Sequence, residues 1–67
     1  MKLHDVMRLA RLFQRVSQSE VGSAMGIAQT QMSRYESGRS SPTVEKWLLW
    51  CKALGLDPHD VLKMMEE

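Results

Sequence analysis

Hydrogen-bonding side chains crowd one stretch of this chain: Gln29, Thr30, Gln31, Ser33, Arg34 and Ser37, followed by Arg39 and Ser40. Amides, hydroxyls and guanidinium groups in such density suit recognition of a polar surface. Catalysis asks for something else, a nucleophile held beside its base, and no such pair or phosphate-cradling glycine loop stands out. No enzyme is expected. His4, His59 and the single Cys51 lack metal-ligand spacing, so neither a zinc site nor any other cofactor is expected. Cys51 reads as a small core residue, and one cysteine cannot form an internal disulfide.

The elements that must position these groups read as helices. Gly22, Gly26, Gly38, Pro42, Gly55 and Pro58 punctuate the chain, and apolar spacing between them is helical. A first helix is predicted from about Leu3 to Gln14, with Leu3, Val6, Met7, Ala10 and Phe13 on its core face and Leu9 and Leu12 off it. Ser17 and Glu20 form an S-x-x-E capping box that opens a second helix. Val21, Ala24 and Met25 form its buried side, and Gly26 stops it. The third helix spans Gln29 to Ser37 and ends at Gly38; it packs through Met32 and Tyr35, with Thr30, Ser33 and Arg34 opposite. Thr43 caps a fourth helix whose stripe is Val44, Trp47, Leu48, Cys51 and Leu54. Asp57 and Pro58 open a fifth, with Val61, Leu62 and Met65 inward. The expected fold is all-α, a single domain over residues 1–67 with a thin core.

Two short helices joined at Gly26, the second with a polar outer face, make a helix-turn-helix. The first must brace the second so that its polar side enters a groove ~12 Å wide. Gly22 and Ala24 are small residues for the helix crossing, and Ile27 is an apolar plug after the turn. Net charge is only +1, but its distribution is uneven. Up to Thr43 six basic residues stand against three acidic ones, whereas from Val44 onward three lysines face five carboxylates. That asymmetry places a polyanionic partner on the N-terminal side.

The runs Ser17-Gln18-Ser19-Glu20-Val21-Gly22 and Gly26-Ile27-Ala28-Gln29-Thr30-Gln31-Met32-Ser33-Arg34-Tyr35-Glu36-Ser37-Gly38 resemble the Cro/C1 (XRE) family of phage and bacterial repressors. The likeness continues through Pro42, Thr43, Ala53-Leu54-Gly55 and Asp57 to Leu62. It implies a five-helix lambda-repressor-like domain whose third helix enters the major groove of double-stranded DNA. By the same resemblance Gln29, Thr30, Arg34 and Ser33 would contact base edges. Gln18, Gln31, Ser37, Arg39, Ser40, Arg11 and Arg15 would contact phosphates. Arg11 and Glu36 match a pair that bridges the first helix to the end of the third. The chain departs from the family pattern at three points. Arg15 replaces a common glycine, Ala28 a common Ser or Thr N-cap, and Gly22 a frequent alanine.

Trp50 and Leu49 fall partly off the fourth helix's stripe, as does Met64 on the fifth, whereas Trp47 reads as core. This apolar surplus points to a homodimer contact through Leu49, Trp50 and Met64. The expected function is a sequence-specific transcriptional regulator, more a repressor than an activator, bound as a dimer to a palindromic operator. Two alternatives stand beside it: an antitoxin that represses its own operon and also binds a toxin, and a helical protein–protein adaptor without DNA contact. Met1 leads straight into Lys2, Leu3, His4 and Asp5, unlike a signal peptide, and no run is long enough for a membrane span. A soluble cytoplasmic chain, bacterial or phage-encoded and nucleoid-associated when bound to DNA, is expected.

Overall fold

A computed structural model describes residues 1–66 and shows five helices: α1 (Leu3–Gln14), α2 (Gln18–Met25), α3 (Gln29–Ser37), α4 (Val44–Ala53) and α5 (Pro58–Glu66). Among the described residues there is no strand, and no helix is long and apolar enough to cross a membrane. The helix starts follow from their caps. Ser17 Oγ accepts from the Glu20 backbone N–H at 3.0 Å while Glu20 Oε1 accepts from the Ser17 N–H at 3.3 Å, a complete capping box. Thr43 Oγ1 accepts from Lys46 N–H at 3.2 Å, and Asp57 Oδ1 accepts from His59 N–H at 2.8 Å. Ala28 offers α3 no side-chain cap. At the exits, α2 and α3 turn through Gly26 and Gly38, but α1 turns through Arg15, whose φ of 60° is the single positive value on a non-glycine described residue.

The core gathers Val6 and Met7 of α1, Val21 and Met25 of α2, Met32 and Tyr35 of α3, Trp50 and Cys51 of α4, Leu54 and Val61. The tilted rings of Tyr35 and Trp50, with centroids 5.9 Å apart, couple α3 to α4. Gln14 Nε2 donates to the Leu54 carbonyl at 2.7 Å, tying the end of α1 to the end of α4. The Met1 nitrogen donates to the Met65 carbonyl at 3.2 Å, placing the start of α1 beside α5. Burial pushes the Cys51 thiol above its ordinary value, as an unreactive core cysteine requires.

Several expected faces are turned. α4 is rotated by roughly 50° from the expected stripe, so Trp47, Trp50, Cys51 and Leu54 face inward. Trp50 is fully buried and has no surface to offer a partner, which removes it from the dimer contact; Val44 and Leu48 are exposed instead. The physical reason is area. Residues 47, 50, 51 and 54 repeat the same i, i+3, i+4, i+7 spacing as 44, 47, 48 and 51, and the rotation that buries Trp50 removes the larger side chain from water. It leaves the indole N–H of Trp50 without a protein acceptor, a cost on the order of 1–3 kcal/mol that the buried ring offsets. Phe13, expected in the core, is 90% exposed and stands at the edge of a groove lined also by Leu56 and Met64. Leu62 is likewise exposed, and Ala24 lies on the outer side of α2.

Candidate functional site

The site is organised around a buried carboxylate. Glu36, in the last turn of α3, is 4% exposed and is the one buried charged residue among those described. Arg11 of α1 donates to it twice, from Nε to Oε2 at 2.6 Å and from Nη2 to Oε1 at 3.1 Å. A third guanidinium N–H, on Nη1, donates to the Val16 carbonyl in the α1–α2 link at 2.8 Å. Gln18, the first residue of α2, donates from Nε2 to Glu36 Oε1 at 3.1 Å. One carboxylate therefore joins three helices at the point where α3 ends. A bidentate arginine fixes direction as well as distance, so α3 is oriented by this cluster. Truncating one partner of such a pair strands the other in a nearly dry site.

The turn between α2 and α3 explains Gly22. Ile27 N–H donates to the Gly22 carbonyl at 2.9 Å, and a Cβ at Gly22 would stand 3.1 Å from the Ile27 carbonyl oxygen. The close approach is by the backbone of the turn rather than by another helix. At the far end, the His4 ring covers Gly38, where a Cβ would lie 2.8 Å from His4 Cε1 and where φ is 79°. Both a left-handed backbone and a flat ring overhead favour glycine there.

Anchored this way, α3 turns Met32, Tyr35 and Glu36 inward. Thr30, Ser33, Arg34 and Ser37 share the opposite face at i, i+3, i+4, i+7, all exposed, and Gln29 is exposed at the open tip. Gln31 is half-buried, off that face. The Ser37 hydroxyl donates to the Arg34 carbonyl at 3.2 Å, which commits its one hydrogen locally. Arg39 is exposed and Ser40 half-buried in the loop after α3; the backbone N–H of each also donates to the Arg34 carbonyl, at 3.0 and 3.3 Å. Arg34 has no ion-pair partner among the described residues. Arg11 is largely enclosed by its own network, while Arg15 is exposed at the α1–α2 junction.

A polar depression of about 400 Å³ lies beside this face, lined by His4, Arg8, Gln18, Ser33 and Ser37 together with the carboxylates of Asp5 and Glu36. It brings Gln18 and Ser33 together with Arg8, a cation that carries no assignment from sequence. Its signal was its place on α1 three residues before Arg11, which puts both on one helix face. Of the expected dimer set, Leu49 and Met64 are exposed and Trp50 is not. Among the described residues no group of three or more His, Cys, Asp or Glu side chains is placed to hold a metal ion.

Two comparisons with known proteins find matches. A family model described as helix-turn-helix matches residues 7–61. The chain is similar to the crystal structure of the clp gene regulator ClgR from C. glutamicum, with a TM-score of 0.85 and 30% sequence identity over 90% of this chain and 78% of that one. No curated protein sequence matches.

Proposed function

Because the chain belongs to the helix-turn-helix family of the Cro/C1 type, we propose that it is a transcriptional regulator that inserts α3 into the major groove of DNA. The observation that carries this reading is the exposed face of Thr30, Ser33, Arg34 and Ser37 on a helix held from behind by the Glu36–Arg11–Gln18 cluster. A short helix can read bases only if its own position is fixed, and here three charge-assisted contacts fix it.

Arg34 reads guanine bidentately, Gln29 adenine, and Thr30 meets a thymine methyl, with Ser33 beside them. Gln18 uses one amide hydrogen on Glu36 and keeps the second for a backbone phosphate at the start of α2. Gln31, Ser37, Arg39, Ser40, Arg11 and Arg15 are the remaining phosphate contacts of this reading. Of these, Arg39 and Arg15 have the freest charges and Arg11 the most committed one. Arg8 adds a cation beside Gln18. The protein acts as a repressor by occluding a promoter, as a homodimer on a palindromic operator, within a single domain and without a cofactor.

Selection of binding sequences from random duplexes, with affinity measured against salt, tests this. A palindromic consensus whose affinity falls steeply with salt is the expected result. Failure to enrich any sequence, or salt-insensitive binding, would sink it.

A further inference from the structure

α1 has two opposed faces. His4 and Arg11 point at α3, through Gly38 and Glu36. Roughly 180° around the same helix, Val6, Leu9, Ala10 and Phe13 join Leu56 and Met64 around an apolar groove of about 290 Å³. The polar side chain that also lines it, Gln14, is already bonded to the Leu54 carbonyl. The rest of the lining is apolar, so an occupant must be apolar over most of its surface. Beside the groove stands Phe13, 90% exposed.

We propose that this groove and Phe13 form the contact between two copies of the chain, each copy seating its Phe13 in the groove of the other. The inference deepens the DNA-binding reading and takes its geometric argument from it. A two-fold contact needs a knob and its hole on the same patch of one surface, and this patch has both. The area also fits. Leu9, Phe13 and Met64 of this patch are 49%, 90% and 42% exposed, which amounts to about 360 Å² of apolar surface at ~200 Å² per large side chain. Interfaces are about 60% apolar, so the footprint is roughly 600 Å² per copy, at the lower end of the ~1,200–2,000 Å² total of a standard stable interface.

Spacing is the third argument. The α1 axis lies about 5 Å behind the contact plane, one helix radius with side chains. α3 packs on the far side of α1, a further 8–10 Å away at ordinary interaxial distance. Two α3 helices related by this contact therefore stand about 26–30 Å apart, a few ångströms short of the ~34 Å of one DNA turn. A partner of different sequence would use the groove but leave that match without a cause.

Sedimentation of the full chain with Phe13→Glu and Leu49→Glu tests the contact. Phe13 is almost wholly in water, so its replacement leaves helical circular dichroism intact. The expected result is a wild type and a Leu49→Glu variant that both dimerise, and a Phe13→Glu variant whose dimer dissociation constant rises at least roughly 100-fold. A wild type that stays monomeric at millimolar concentration overturns the proposal, as does a Phe13→Glu variant that dimerises like wild type. Dimer loss in Leu49→Glu alone would move the contact to α4 and overturn it equally. Gel shifts separate this from the DNA reading. Phe13→Glu is expected to bind a half-site as wild type does and the full palindrome more weakly. A chain that dimerises through Phe13 but binds no duplex keeps the contact and loses the DNA function.

Discussion

The two helices of the helix-turn-helix are secured at opposite ends. α2 is closed at its start by the reciprocal Ser17–Glu20 box and by Gln18, whose amide reaches Glu36. α3 begins bare at Ala28 and is secured at its finish, by buried Glu36, by Gly38 under the His4 ring and by Tyr35 against Trp50. In the bracing helix the third amide, of Glu20, rests on the Ser17 side chain, whereas in the reading helix the third amide, of Gln31, rests on the backbone carbonyl of Ala28. The leading amides of Gln29 and Thr30 stay open without any side-chain cap beside them. Orphan N–H groups at a helix start are positive and accept an anion or water. The contrast teaches that rigidity is supplied from behind and from the far end, which leaves the tip free to meet a ligand.

The hardest way to break that arrangement is Glu36→Ala. It leaves the Arg11 guanidinium, only 11% exposed, without its carboxylate. The expected loss is about 3–5 kcal/mol, which for a chain of this size lowers Tm by roughly 15–30 °C. Thermal melting measures it; a loss under about 1 kcal/mol would mean that α3 is anchored elsewhere. Arg34→Ala acts on the other half of the contrast. It should leave Tm nearly unchanged and cost ~1–3 kcal/mol on the preferred duplex. An equal loss on random duplexes would contradict base reading and turn Arg34 into a phosphate contact.

Helix ends were legible from sequence because caps are local chemistry. Ser17, Thr43, Asp57, Gly26 and Gly38 each act within one turn of chain, and each does so in the structure as its residue type requires. Rotation was less legible. On α4 two overlapping apolar spacings compete, and the burial of Trp50 depends on what Tyr35 presents from another helix. Phe13 satisfies the helical period, yet whether a neighbouring helix covers that position is decided by packing, and it stands 90% exposed. Arg8 escaped notice because its neighbours Gln18 and Ser33 are distant in sequence and meet only across the fold.

Helix exits repeat the contrast in milder form. α2 and α3 leave through glycine, but Arg15 holds a left-handed backbone with a side chain attached. That conformation costs about 1–2 kcal/mol. Glycine's extra freedom in the unfolded chain returns roughly 0.5–1 kcal/mol of this. Arg15→Gly is therefore expected to stabilise the protein by about 1 kcal/mol in denaturant titration, and destabilisation would show that the arginine side chain does structural work at the junction.

The smallest effect probes the open tip itself. Ala28→Ser places a hydroxyl where it can accept from one leading amide of α3, as Ser17 does for α2. It should add about 0.5 kcal/mol of stability. If those amides serve a DNA phosphate, the new cap competes with it, and affinity for every duplex should fall a few-fold regardless of sequence. Stability and binding then move in opposite directions. A variant that gains both would show that the bare start of α3 is merely an uncapped helix, and the functional half of the contrast with α2 would be lost.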